Sequence, residues 1–222
     1  MQKIETVSEI RSLAGKLRAE GKTLALVPTQ GAMHAGQEAL IRAAAGRTDV
    51  VIVSLFVNPL QFPANEIPAN YPRSLEEDLA LCEAAGADVV FLPTTEEFYP
   101  RGFATYVSEE SISRMLCGPS RPTHFRGVTT MTAKLFNLIR PDRVYFGQKT
   151  AQRAAVVRKM INDLGYDIEL VVVPTARLPD GMAAGVRNRD FTSTGRLEAG
   201  AIYTALVRAK EMVEAGVRSP DR

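Results

Sequence analysis

The sequence predicts an α/β protein, a parallel sheet flanked by helices. Three observations carry this expectation. Leu24–Val27, Asp49–Phe56, Ala87–Leu92 and Asp167–Val173 are short, almost continuous apolar runs, as expected of strands covered on both faces. Segments with helical spacing alternate with these runs. Between Leu24 and Ile41 the chain reads as buried strand, glycine turn and helix start.

In chain order, residues 6–20 form a first helix, with Val7, Ile10, Leu13 and Leu17 on one face. Pro28 ends the first strand, since it cannot donate to a ladder. Gly31 frees the loop that follows, and a helix runs from His34 to about Gly46. This junction should aim free backbone N–H groups at the space above the sheet, an arrangement suited to phosphate. His34 and Gln37 are three apart and share a face. The second strand ends at Val57-Asn58-Pro59-Leu60-Gln61-Phe62, placing Asn58 and Gln61 where open parallel sheets hold ligands. Residues 63–73, including Tyr71, form a polar loop that either gates the cleft or is plain surface. Ser74 and Glu77 make a capping box for a helix reaching Gly86.

A short strand is expected near Thr105–Val107, a short helix and loop over 111–123, and a helix over 128–139. Arg143–Phe146 forms a strand, and Gly147-Gln148-Lys149-Thr150 a second turn at the sheet's carboxyl edge. The helix over 151–164 points Ala155, Val156, Met160 and Leu164 inward. A last helix spans Leu197–Val213. Residues 1–190 are expected to form the main domain, and 191–222 a C-terminal helix that is a remnant or the start of a second one.

A length of 222 residues with 45% hydrophobic residues supports one substantial core. The net charge of +2 is too small to imply a nucleic-acid or acidic-membrane partner. Cys82 and Cys117 form no metal-type cluster, and Cys82 reads as a small core residue. The amino-terminal stretch is an amphipathic helix pattern rather than a signal peptide, and no apolar run reaches membrane-spanning length. A cytoplasmic protein is the default expectation.

Five blocks carry a resemblance to a known family: VPTQGAMHAGQEALIR, VSLFVNPLQF, YPRSLEEDL, PTHFRGVTTMTAKLFNLIRPDRVYFGQK and PTARLPDGMAAGVRNR. Their order and spacing over about residues 5–215 resemble the pantothenate synthetase (pantoate–β-alanine ligase) family. The resemblance implies a Rossmann-like, nucleotidyltransferase-type fold. It implies activation of a small carboxylic acid by ATP and magnesium as an acyl-adenylate, amide formation with an amine, and a homodimer. It makes His34, Lys149, Arg187 and Gln37 catalytic candidates. Gly31, His34, Gly147, Lys149 and Arg187 become nucleotide-binding candidates, and Gln30, Asn58, Gln61 and Arg153 acid-binding ones. No resident metal ligand is implied. His124 is expected to organise its loop rather than act chemically.

Against the family pattern, the second histidine of His-x-Gly-His is Gln37, and a methionine is Gln30. A glutamate is Gln148, an aspartate Thr150, and a glutamine of the acid pocket Arg153. Two phosphate-holding serines are Gly185 and Val186. Relatives also continue into a small C-terminal domain beyond about residue 222. Arg153 reads either as a solvated helix arginine or as a cation favouring an acid with an extra carboxylate or phosphate. The expected function is an amide-forming ligase with altered substrates. The alternatives are an enzyme on a small acid that no longer uses ATP, and a non-catalytic homologue.

Overall fold

The computed structural model describes residues 1–62 and 74–219; the expectations for the 63–73 loop and Tyr71 fall outside them. In chain order the elements are β1 (Gln2–Ile4), α1 (Val7–Ala19), β2 (Leu24–Thr29), α2 (Ala35–Ala45), β3 (Val50–Leu55), α3 (Leu75–Ala85) and β4 (Val89–Phe91). There follow α4 (Thr95–Phe98), α5 (His124–Ile139), β5 (Arg143–Gly147), α6 (Ala151–Leu164), β6 (Glu169–Val173) and α7 (Ser193–Glu214). The strands pair in parallel in the order β1-β4-β3-β2-β5-β6.

Alternation along each strand sends side chains to two apolar layers. Leu24, Leu26, Ile52, Phe91 and Val144 meet Ile10 of α1, Phe136 of α5 and Val157 of α6. Ala25, Val27, Val53, Val90 and Tyr145 meet Ile41 of α2 and Cys82 of α3. Cys82 is thus the core residue expected. Burial pushes its thiol pKa up to about 12, so it stays protonated and inert.

The chain order reverses between β2 and β5, which are neighbours in the sheet. The loops leaving these two strands therefore depart in opposite directions and open a crevice at their carboxyl ends. That crevice is where the turns after Thr29 and Gly147 lie.

Several expectations are corrected. Pro28 lies inside β2, opposite Ser54 of β3. Leu24 turns its polar groups toward β5, accepting from Asp142 N, whereas Thr29 O accepts from Phe56 at the β3 side. By alternation Pro28 faces β5, where recorded pairing stops at Leu26, so its missing donor breaks no rung. No strand forms at Thr105–Val107; the Val107 amide donates to Thr130 Oγ1 and its carbonyl accepts from Thr129 Oγ1, both on α5. The short helix expected within 111–123 is the 3-10 turn Ile112–Arg114, and loop follows it. Ser74 caps α3 as expected, accepting from Glu77 N, but only this half of the expected capping box is seen. In α6, Val156 and Met160 are buried, but Leu164 is 54% exposed in the final turn. The short elements β1 and α4 escaped sequence reading because three or four residues carry too little periodicity.

Candidate active site at the sheet switch point

Gly31 opens the loop after β2 with φ +82°, and Ala32 follows at +50°. A left-handed alanine needs support from its surroundings. Asp78 of α3 supplies it: its carboxylate accepts from Ala32 N at 2.9 Å and Met33 N at 2.6 Å. Asp78 is only 4% exposed. Asp78→Ala is expected to destabilise the protein by about 3 kcal/mol, because two buried amides lose a charged partner. Thermal unfolding of the variant measures this; an unchanged Tm would show that the loop holds itself.

The same contacts correct the expectation of free N–H groups. Ala32 and Met33 donate to Asp78, Gly36 N donates to His34 Nδ1 at 3.0 Å, and Gln37 N and Glu38 N donate to His34 O. His34 caps α2, and Gln37 Oε1 returns the contact by accepting from His34 N at 3.1 Å. Most amides at this helix start are therefore satisfied within the chain. Because His34 Nδ1 accepts, the neutral ring carries its proton on Nε2, which is the donor form a phosphoryl oxygen requires.

The turn after β3 builds the acid side. Gln61 is buried, and its Oε1 accepts from Gln30 Nε2 at 2.7 Å. His124 Nδ1 donates to Gln61 O at 3.2 Å. Its neutral ring is thus the opposite tautomer to that of His34. The His124 pKa lies below 6.5, chiefly because burial penalises the charged ring and secondly because Arg153 repels it. Arg153 is half-buried on α6 and so lies within electrostatic reach of His124 and the Gln61 turn. A depressed histidine contributes stability present above its unfolded value of 6.5 and lost as the pH falls from there through the folded value. His124→Gln is expected to flatten the fall of denaturant midpoints as the pH drops from neutrality through 6.5 and below. A variant that loses stability on acidification as steeply as the parent would contradict this.

Asn58 lies beneath the seat rather than on its surface. It is 0% exposed; Nδ2 donates to Gly127 O at 2.8 Å, and Oδ1 accepts from Leu60 N and Tyr99 Oη, each at 3.1 Å. Gly127 permits the approach of α5, since a Cβ there would stand 2.5 Å from Leu60 O. A cavity of about 430 Å³ opens beside Gln30 and Gly31, with Glu5, Asp78 and Thr94 on its walls.

On the other side of the switch point, Lys149 sits in the 3-10 turn Gln148–Thr150 after Gly147. Its Nζ donates to Ala184 O at 2.6 Å. Partial loss of water lowers the Lys149 pKa, with the Arg187 charge as the second cause. Arg187 stands in the 3-10 turn Val186–Arg189, so the two cations are electrostatic neighbours. Thr150 Oγ1 turns back to donate to Gly147 O at 3.1 Å. Among the described residues no group of three or more His, Cys, Asp or Glu side chains could hold a metal ion.

The structure thus brings Gln30, Gln61, His124 and Arg153 together on one flank and Lys149 with Arg187 on the other. His34 and Gln37 lie at the start of α2, after the loop that leaves β2. Sequence reading missed Asp78, which acts from 45 residues away on another helix.

The sequence profile of the pantoate-beta-alanine ligase family matches residues 2–221. The chain is 47% identical over 218 residues to a pantothenate synthetase of Moorella thermoacetica, covering 98% of this chain and 77% of that protein. It is 46% identical over 216 residues to one from Thermosipho africanus, covering 97% and 78%. A crystal structure of pantothenate synthetase from Thermus thermophilus superposes with TM-score 0.90 at 42% identity, over 97% of this chain and 77% of that one. Pantoate-beta-alanine ligase from Francisella tularensis, complexed with beta-gamma ATP and beta-alanine, superposes with TM-score 0.84 at 33% identity, over 92% and 78%. With a match running nearly from end to end and a shared fold, this chain belongs to the pantoate-beta-alanine ligase family.

Proposed function

We propose that this protein is an ATP-using ligase that activates a small carboxylic acid as an acyl-adenylate and joins it to an amine as an amide. The supporting observation is the placement of two flanks across one switch point: Gln30–Gln61 on the acid side, Lys149 with Arg187 on the phosphate side. A carboxylate oxygen attacks the α-phosphorus and pyrophosphate leaves. The amine then attacks the acyl carbon and AMP leaves. Negative charge grows on the phosphoryl oxygens in the first step, where Lys149, Arg187 and the His34 Nε2–H stabilise it. Gln61, its amide held by Gln30, orients the acid.

The residues present fit a polyphosphate. Magnesium, with no cluster of protein carboxylates among the described residues, would arrive on the nucleotide's own oxygens. It would neutralise phosphate charge there. Arg153 beside His124 adds a cation to the acid flank and favours an acid bearing a second anionic group.

The test is incubation with ATP, magnesium and β-alanine, with either pantoate or a hydroxy-dicarboxylic acid. AMP and amide are expected, with the dicarboxylic acid preferred. A preference for pantoate would overturn the altered pocket, and absence of AMP with every acid would overturn the ligase. A second reading, an enzyme on a small acid that no longer uses ATP, is favoured by the occupied amides around His34. Calorimetry separates the two: micromolar ATP binding removes the second, and no binding removes the first.

A further inference from the structure

We propose that Gln30 is a specificity-determining residue: by holding the carbonyl end of the Gln61 amide, it leaves that amide only N–H groups to offer the acid. The acid so selected has a second polar group that only accepts, a keto or carboxylate oxygen rather than a hydroxyl. This rests on the ligase reading above for placing Gln61 beside the acid.

Gln30 follows β2 directly, and Gln61 stands in the turn after β3. These strands are parallel neighbours, in register as far as Thr29 and Leu55. The Phe56 amide extends the pairing by donating to Thr29 O at 3.1 Å. The sheet itself therefore brings the two side-chain amides together. The Gln61 backbone is fixed twice more: its N–H donates to Asn58 O at 3.2 Å, and its carbonyl accepts from His124 Nδ1 at 3.2 Å. With the backbone fixed, rotation of the carboxamide would exchange its oxygen for its NH2 group. Gln30 Nε2 removes that freedom by donating to Gln61 Oε1 at 2.7 Å.

Gln61 is only 6% exposed. Among the described residues nothing in the chain accepts from its Nε2. A buried N–H without an acceptor is costly, so the bound acid has to bring one. A hydroxyl oxygen can accept too, but its own proton then needs an acceptor. The Arg153 guanidinium on this flank offers only N–H groups. A keto or carboxylate oxygen carries no such proton. A methionine at position 30 would have no N–H to hold Oε1, and the Gln61 amide could then turn to suit either kind of acid.

The experiment uses the full chain and its Gln30→Met and Gln30→Glu variants. The probes are 4-oxopentanoate and 4-hydroxypentanoate, alike in charge and nearly alike in shape. Binding is measured by calorimetry without nucleotide at about pH 8, where a glutamate is ionised. The parent should bind the keto acid about tenfold more tightly, as one unanswered hydrogen-bonding group implies. Gln30→Met should remove most of that preference. A carboxylate at position 30 only accepts, so Gln30→Glu should turn the Gln61 oxygen toward the acid and reverse the preference. Repulsion by the new carboxylate acts on both probes and cancels in their ratio. The Gln61 side-chain NH2 signals, assigned by their absence in Gln61→Glu, should shift on adding the keto acid to the parent and stay in place in Gln30→Glu. The parent's own ratio and NH2 shift decide the matter if a variant fails to fold. Equal binding of the two acids by the parent, binding of neither, or one ratio shared by all three proteins would each overturn the proposal. Failure of the ligase reading is separate: it appears as absence of AMP in the parent protein, whatever the ratio of acids shows.

Discussion

Lys149→Ala is expected to reduce AMP formation by about 10²–10³-fold, the typical loss when one preorganised donor to a developing oxyanion is removed. Stability should hardly change. The side chain is exposed and makes one recorded hydrogen bond, to Ala184 O. Removing a cation beside Arg187 also relieves a repulsion. Single-turnover measurement of AMP, paired with Tm, separates the two effects. A variant that keeps parental turnover would place the phosphates elsewhere in the crevice.

Asn58→Ala is the opposite case, a large loss of stability from a residue that resemblance alone would assign to substrate. Its removal leaves Leu60 N, Gly127 O and Tyr99 Oη without their recorded partner in a buried setting. The expected loss is about 4 kcal/mol, since each unsatisfied buried group costs about 1–3 kcal/mol and neighbouring losses do not simply add. For a chain of this size that lowers Tm by about 10 °C. Activity should fall with folding, because the Leu60–Gln61 turn loses its anchor to α5. Parental Tm with a raised KM for the acid would show instead that Asn58 reaches substrate directly.

The contrast between these two residues shows what could be read from the chain. Continuous apolar runs made the inner strands legible, because strands buried on both faces have no polar alternation to hide them. The placement of Lys149 and His34 was legible because each follows such a strand at a carboxyl edge. Pro28 misled, since whether a proline breaks a ladder depends on which neighbour its nitrogen faces, a property of strand order rather than local sequence. The role of Asp78 was not legible, because its partners Ala32 and Met33 lie on a different loop. The fate of the amides near His34 was hidden for the same reason: satisfaction of a backbone group is decided by tertiary contacts.

Oxygen transfer from the acid tests the central claim most directly. With both carboxylate oxygens labelled with oxygen-18, attack at the α-phosphorus places one labelled oxygen between acyl carbon and phosphorus. Amine attack on that carbon leaves the oxygen on AMP, so mass spectrometry should find one label per AMP released. Amide formed with unlabelled AMP, or with ADP and labelled phosphate, would contradict adenylation in this crevice.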